Sequence, residues 1–284
     1  MQRVVLLGYG AIGRAVHLEI ARLNASGSDL KSAQGSANAP PYAEIIGLWV
    51  RDRKSINMEG FDLPASTAIV DSLEDAIALK PDLVVECAGH SAVDQFGAAI
   101  LRMGSDLMMV SIGAMAEKQR EQSLREAAHI SKRQLTLPAG AIGAIDWLVA
   151  ARYAGLSKVT LRSTKPPGGW VGTAAEKRVN LVQLSQATPV FQGSARQAAL
   201  IFPANANVAA TIALAGLGFD DTQVELIADP ALSANEHCVE AVSNMGSMTI
   251  TVQGRTDPSN PKTSVSTAFS VVRAILNRNA SIVI

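Results

Sequence analysis

The sequence is poor in cysteine, in aromatic residues and in net charge, and each shortage argues against a class of protein. With two cysteines in 284 residues, Cys87 and Cys238, we expect neither a disulfide framework nor a cysteine-rich metal centre, and we expect a reducing, cytoplasmic location. Lys and Arg number 25, as do Asp and Glu, so no broad attraction to nucleic acid or to a membrane surface is expected. No apolar run approaches the roughly 20 residues that span a bilayer. The short apolar segment at the N-terminus is interpreted as a buried strand rather than a signal peptide.

Alanine and aliphatic residues are abundant instead, in a chain too long for one typical core. Hydrophobic residues make up 48% of the chain and charged residues 18%, which favours a folded protein over a disordered one. A length of 284 residues exceeds the usual size of one domain, so we expect two domains with a core each.

A glycine motif near the N-terminus lies between a strand and a helix. The apolar run from Val4 to Leu7 predicts a strand buried on both faces, and GYGAIGRAV follows it as the start of a helix. In such a G-x-G-x-x-G turn, the first glycine turns tightly, the second lets the backbone approach a pyrophosphate, and the third permits close helix packing. The motif predicts a dinucleotide site, with a glycine-rich turn that binds nothing as the alternative. The predicted site residues are Gly8, Gly10, Ala11, Ile12 and Gly13.

An acidic residue after the second predicted strand is a candidate ligand for the adenosine ribose. The segment Asn24–Pro41, rich in small and polar residues, is predicted to be a surface insertion, and a strand follows near residues 44–50. Asp52 then stands where a carboxylate binds the ribose of NAD, with an ordinary turn residue as the alternative. Its neighbours Arg51 and Arg53 could hold the 2′-phosphate of NADP instead, so the choice of cofactor stays open.

Strand-like and helix-like segments alternate up to residue 138 and then give way to another pattern. The alternation predicts a Rossmann domain, an α/β fold with a doubly wound parallel sheet, over residues 1–138. Beyond it, SKVTLRSTK, VELIADP and SMTITVQG alternate apolar and polar residues, and ANVAATIALAG has the composition of a packed helix. We expect residues 139–254 to form a second, α+β domain with a mostly antiparallel sheet.

Several motifs, taken in order, resemble those of the L-aspartate dehydrogenase family. They are GYGAIG, VVECAGHSAV, LPAGAIGAID, STKPP, FPANANVAATIALAG, NEHCVE and DPSNPKTS, and they cover most of the chain. The resemblance implies oxidation of L-aspartate by NAD or NADP through iminoaspartate, which hydrolyses to oxaloacetate and ammonia or feeds the synthesis of NAD. It also implies that residues 255–284 return to the Rossmann domain.

The same resemblance assigns roles to three residues. His237 in NEHCVE takes the family's catalytic position, and Ala141 and Asn207 take positions associated with the cofactor. A histidine can accept a proton near neutral pH, and an asparagine amide can orient a nicotinamide carboxamide or ribose. The alternatives are a hydrogen-bonded core histidine, ordinary packing for the alanine and a helix cap for the asparagine.

A dicarboxylate substrate needs positively charged and hydroxyl donors. The candidates are Lys165, Lys262, Thr263 and Ser264, with solvated surface charges as the alternative for the lysines. No spacing of His, Cys and carboxylates indicates a catalytic metal.

Two other functions remain open from the sequence, and one oligomeric state is expected. A related reductase of another amino acid, imine or semialdehyde would share the fold, and a dinucleotide sensor without catalysis would bind cofactor and turn nothing over. The exposed face of the second sheet is expected to pair subunits in a homodimer.

Overall fold

A computed structural model of the chain describes residues 1–25, 43–53, 56, 63–64, 66–257 and 260–283, without the side chains of 256–263. The predicted insertion Asn24–Pro41 lies outside the described residues, apart from its first two, which extend the first helix. The chain divides into two compact units. Unit 1 contains Met1–Ser111, Gln122–Pro138 and Ala268–Ile284, and unit 2 contains Ile112–Glu121 and Ala139–Thr267.

Strands and helices alternate along the first half of the chain, and strands dominate the second. The strands are β1 (Gln2–Leu7), β2 (Ala43–Trp49), β3 (Ala68–Val70), β4 (Leu83–Glu86), β5 (Asp106–Met109), β6 (Leu135–Thr136), β7 (Leu156–Lys165), β8 (Thr188–Ser194), β9 (Gln223–Ala228), β10 (Asn235–Ser243), β11 (Gly246–Gly254), β12 (Thr256–Asp257) and β13 (Asn260–Ser264). The helices are α1 (Ala11–Ala25), α2 (Leu73–Ala78), α3 (residues 90–102), α4 (Lys118–Ser131), α5 (Ile145–Tyr153), α6 (Ala195–Ile201), α7 (Asn207–Ala215) and α8 (Val265–Asn277). Short 3₁₀ turns cover Ile112–Ala116, Pro167–Trp170 and Ala174–Lys177.

Unit 1 is built on a six-stranded parallel sheet in the order β3-β2-β1-β4-β5-β6. Its central strand β1 is apolar because the sheet is covered on both faces: Val4, Val5 and Leu6 are fully buried. Val271 and Ile275 of α8 belong to the same core cluster as Val4 and Leu6. The doubly wound parallel sheet expected from the sequence is confirmed.

Unit 2 contains a five-stranded sheet in the order β11-β10-β7-β9-β8. Three of its strand pairs are antiparallel and the β7–β9 pair is parallel, so the sheet is mixed and mostly antiparallel, as expected. The inner face carries apolar residues such as Val159, Leu161 and Val239. Of the helices that the structure describes, none has the length and apolar character needed to cross a membrane.

Strand β5 is short, and the chain leaves the sheet soon after it. β5 ends at Met109, and a 3₁₀ turn occupies Ile112–Ala116. The reason is local: the backbone N–H and the hydroxyl of Ser111 both donate to the carboxylate of Glu86, at 3.0 and 2.9 Å, so the chain leaves the sheet here. Residues 112–121 group with unit 2, whereas the sequence analysis assigns them to the first domain.

Candidate active site

A cleft of about 920 Å³ lies in unit 1 at the carboxyl ends of its central strands. Its walls come from the segments that follow β1, β2 and β4 and from the start of α3. In the sheet order, β1 lies between β2 and β4, so the crossovers leave it in opposite directions, and this is where open α/β sheets bind their ligands. The cleft is therefore the dinucleotide site candidate.

The three motif glycines differ in what surrounds them. Gly8 has φ +95°, and a Cβ there would lie 2.8 Å from the Cα of Ala88. A Cβ on Gly13 would lie 2.3 Å from the carbonyl oxygen of Gly8, so only glycine allows α1 to begin this close to β1. Gly10 lines the cleft, and a Cβ on it would project into open space. The residues present therefore fit a dinucleotide, because the space beside Gly10 is left clear for a ligand.

Ala11 and Ile12 begin α1, and with Gly13 they form its first turn. Backbone N–H groups in a first turn have no carbonyl partner within the helix, and the helix dipole favours a negative charge there. Such a turn can donate to a pyrophosphate.

Glu86, at the end of β4, organises one side of the cleft. The carboxylate is buried and accepts from the N–H groups of Ala88 and Gly89, at 2.8 and 2.7 Å, in addition to the two groups of Ser111. Burial raises the pKa of Glu86, and these hydrogen bonds oppose the rise. One side chain thus sets the course of two loops at the carboxyl edge of the sheet.

The candidate ribose ligand, Asp52, follows β2 at the edge of the cleft. Asp52 is exposed and lines the same cleft as Gly8 and Gly10. Of the two neighbouring arginines, Arg51 also lines the cleft, whereas Arg53 pairs with Asp71 at 3.3 Å. The rim of the cleft therefore carries both charge signs.

A second group of polar residues lies in unit 2, on the inner face of the five-stranded sheet. β7 and β10 pair in antiparallel register, with Ser163 directly opposite His237. Both side chains are buried, and Ser163 Oγ lies 2.9 Å from His237 Nδ1. Since Nδ1 is engaged by the serine, Nε2 is the nitrogen left for other chemistry.

Lys165, the last residue of β7, is a buried cation. It is 4% exposed, so it is not a solvated surface charge. Its Nζ donates to Asn205 Oδ1 at 2.8 Å and lies 5.5 Å from the centre of the Trp170 ring. A Cβ on Gly169 would lie 3.3 Å from Lys165 Cβ and Cδ, so the glycine makes room for the aliphatic stem.

The pKa of His237 is lowered to about 4, first by burial and second by the positive charge of Lys165. The imidazole is therefore neutral at neutral pH and has one lone pair. When Nδ1–H donates to Ser163 Oγ, that lone pair is on Nε2, and the ring can accept a proton there. The contact with Ser163 is compatible with the tautomer that a base at Nε2 requires.

Asn207 and Ala141, the two residues expected to contact cofactor, also lie in unit 2. Asn207 begins α7, and its Oδ1 accepts from the N–H of Gly113 at 3.0 Å. Its NH₂ group can donate to a ligand, while Oδ1 is held by the backbone of Gly113. The side chain of Ala141 is buried, which leaves its backbone as the means of contact.

The remaining substrate-binding candidates are on β13. The hydroxyl of Ser264 lies 2.8 Å from that of Ser266 and 3.5 Å from the carbonyl oxygen of Arg255, so it makes local contacts within its own segment. Lys262 and Thr263 lie in the same strand, but their side chains fall outside the described part of the structure.

Three residues of these sites were not predicted from the sequence: Ser163, Asn205 and Glu86. The alternation of SKVTLRSTK places Ser163 on the same face as Leu161, which was a usable signal. Asn205 and Asn207 both belong to the motif FPANANVAATIALAG, and the local sequence does not show that the two asparagines have different roles. Among the described residues, no group of three or more His, Cys, Asp or Glu could hold a metal ion.

Two family models match successive parts of the chain. The family model "Homoserine dehydrogenase, NAD binding domain" matches residues 8–138, and "Aspartate dehydrogenase, C-terminal" matches residues 146–278. The L-aspartate dehydrogenase of a Polaromonas species is 42% identical over 284 residues, which is 100% of both chains. That of Ralstonia nicotianae is 48% identical over 203 residues, 72% of this chain and 76% of the relative. The solved aspartate dehydrogenase of Thermotoga maritima shares the fold, with a TM-score of 0.70 at 24% identity over 100% of this chain and 99% of that one.

A Rossmann unit that matches an NAD-binding model, followed by a dehydrogenase-type C-terminal unit, defines an NAD(P)-dependent amino-acid dehydrogenase. The expected enzyme class and the expected use of NAD or NADP are thereby confirmed. Within that class, the chain belongs to the L-aspartate dehydrogenase family, because it matches a relative over its full length at 42% identity.

The glycine motif yields a matched pair of variants. Gly13→Ala should lower the free energy of unfolding by about 1–3 kcal/mol, because its Cβ collides with the Gly8 carbonyl. Gly10→Ala should leave the melting temperature of the cofactor-free protein unchanged but weaken NADH binding about tenfold or more, because its Cβ enters the space for the ligand. Thermal melts and fluorescence titration with NADH measure the two effects. Unimpaired NADH binding by Gly10→Ala would contradict the assignment of the cleft.

Proposed function

We propose that the protein oxidises L-aspartate with NAD or NADP to iminoaspartate, which water then converts to oxaloacetate and ammonia. The observation that carries the proposal is the buried group of His237, Ser163 and Lys165 on one sheet, which combines a neutral base with a cation for a carboxylate. The names of the relatives, L-aspartate dehydrogenases, support the choice of substrate.

His237 is the proposed base. A bound NAD or NADP would supply the acceptor for the hydride on the α-carbon of aspartate. Nε2 of His237 takes the proton that the substrate nitrogen loses as the C=N bond forms, and Ser163 Oγ holds Nδ1 while the ring becomes positively charged. Water added to the imine carbon then gives oxaloacetate and ammonia, with His237 positioned to move protons in that step as well.

The substrate carboxylates need donors, and Lys165 is the best supported of the four candidates. Its ammonium group is buried near His237, where a carboxylate interacts with a cation more strongly than in water. Lys262 and Thr263 stay proposals that rest on their sequence motif. Ser264 is a weaker proposal, because its hydroxyl already has local partners.

The dinucleotide-binding residues are proposed from their positions. Gly8, Gly10 and the first turn of α1, with Ala11, Ile12 and Gly13, would hold the pyrophosphate, and Asp52 the adenosine ribose. The NH₂ group of Asn207 and the backbone of Ala141 would contact the cofactor as well. A role for the iminoaspartate product as a precursor in NAD synthesis is part of the proposal and rests on the family resemblance alone.

Initial rates of NADH and NADPH formation test the substrate. We expect L-aspartate to exceed L-alanine by about 10⁴-fold in kcat/KM, because a site with buried donors rejects an analogue that leaves them unpaired. L-glutamate and L-homoserine complete the panel. Preference for one of these would favour the related reductase, and cofactor binding without turnover of any of them would favour the sensor.

Replacing His237 by Asn should lower kcat by about 10²- to 10⁴-fold and leave the affinity for NADH unchanged, because only the base is lost. In the unmodified protein, kcat/KM should fall as the pH drops through about 4, where free His237 takes up a proton. The acid limb of kcat should lie at higher pH, because a bound carboxylate offsets the Lys165 charge that lowers the pKa of His237. His129→Asn, a substitution at an exposed residue of α4, serves as the control and should alter neither kcat nor the affinity for NADH. Unchanged turnover in His237→Asn would remove this residue from the mechanism.

We also propose that two copies of the chain form a homodimer through the outer face of the second sheet. The proposed location is the cytoplasm, because its reducing conditions keep cysteines such as Cys87 and Cys238 free. The outer face of the sheet carries polar pairs such as Arg162 with Glu225 at 3.0 Å. Light scattering at assay concentration should give twice the mass of the chain at low salt, and a monomer mass there would overturn the proposal.

A further inference from the structure

The side-chain NH₂ group of Asn205 (Nδ2) is buried and has no hydrogen-bond partner among the described residues. The residue lies in the turn before α7, is 7% exposed, and donates its backbone N–H to Phe202 at 2.9 Å. Its Oδ1 accepts from Lys165 Nζ at 2.8 Å.

The orientation of this amide follows from the chemistry of its neighbour. A lysine ammonium group has three donors and no acceptor, so the atom that faces it must be the amide oxygen. The NH₂ group is therefore the end that remains, and flipping the amide would place donor against donor. A buried donor without an acceptor is unfavourable, and a bound ligand or water molecule would satisfy it.

The missing partner has to be an acceptor that also suits a cation. Lys165 and Asn205 are joined by the hydrogen bond from Nζ to Oδ1, so the ammonium charge lies beside the amide that carries Nδ2. A carboxylate matches this pair, because its two oxygens accept several hydrogen bonds and its charge offsets that of the lysine. The substrate amine does not match, since it would bring another donor.

We propose that Asn205 Nδ2 and Lys165 Nζ together bind one carboxylate of the dicarboxylate substrate, which makes Asn205 a residue that determines substrate specificity. The inference rests on the proposed function, since the ligand is the aspartate of that reaction. Asn205 has two parts in it: its oxygen fixes the position of Lys165, and its nitrogen donates to the substrate. A merely structural asparagine would have only the first.

Asn205→Asp separates these two parts. The substitution keeps the size of the side chain and an oxygen facing Lys165, but it replaces the donor with a negatively charged acceptor. We expect the melting temperature to be kept or raised, because Lys165 gains an ion pair, while the Kd of the unreactive dicarboxylate succinate for the enzyme–NADH complex rises about 10- to 100-fold. The KM for aspartate should rise with it, and the Kd of NADH should not change.

A second variant excludes a purely electrostatic effect of the new charge. Asn205→Leu removes the donor without adding charge, and succinate binding should weaken in this variant too. Asn244→Asp makes the same chemical change at an exposed residue of the β10–β11 hairpin and should alter nothing. Isothermal titration calorimetry with succinate, in the presence of NADH, measures all four proteins.

The outcomes separate the inference from the proposed function. Succinate binding within twofold of the unmodified protein in a folded Asn205→Asp variant would overturn the inference, as would failure of the unmodified enzyme–NADH complex to bind succinate. Absence of aspartate turnover in the unmodified protein would overturn the proposed function. Loss of succinate binding in both Asn205 variants would still support a carboxylate site in that case.

Discussion

A positive charge buried at the end of a β-strand constrains much of the second unit. An ammonium group loses its hydration when it is buried, and the loss is tolerable only where polar or aromatic groups replace the water. Asn205 and the ring of Trp170 do so for Lys165, and Trp170 is itself fixed by a hydrogen bond from Nε1 to the carbonyl oxygen of Ile227, at 3.0 Å. The same charge lowers the pKa of His237. The proposed base and the proposed anion-binding group therefore depend on one buried cation.

In the first unit, a buried carboxylate constrains the surrounding loops, as Lys165 constrains its surroundings in the second. Glu86 accepts four hydrogen bonds from three residues that follow β4 and β5, so the loops at this end of the sheet are held by charge-assisted hydrogen bonds rather than by packing alone. The tight approach of Gly8 to Ala88 requires such precision, because an additional carbon atom would not fit. The shape of the dinucleotide cleft thus follows from a polar group hidden in an apolar strand.

Local patterns made the fold predictable. The glycine spacing between Leu7 and α1, and the switch from βα alternation to half-exposed strands, are both signals within short windows of sequence, and both led to the architecture that the structure has. His237 was found through the family motif and not through its surroundings, because β10 was not among the predicted strands.

The partners of His237 and Lys165 could not be read from the sequence. Ser163 and His237 are 74 residues apart, and Lys165 and Asn205 are 40 apart, so each contact depends on how separate segments pair or fold back. Register decides which side chains meet across two strands, and a shift of one residue would turn each of them to the other face. The burial of Lys165 likewise depends on the loop that carries Gly169 and Trp170.

One turn of α3 departs from α-helical geometry, and this affects how its sequence should be read. Val93–Gly97 forms a π-helical turn, and within it Phe96 contacts the ring of Trp49, with the two ring centres 4.6 Å apart. A π turn takes more residues than an α turn for the same rotation, so the side chains on either side of it follow helical periodicities that are out of phase. In an alignment with a relative that has an uninterrupted helix here, the correct match would need a one-residue gap within these five positions. Without that gap, either the residues that face the cleft or those that face the core would be paired with the wrong partners.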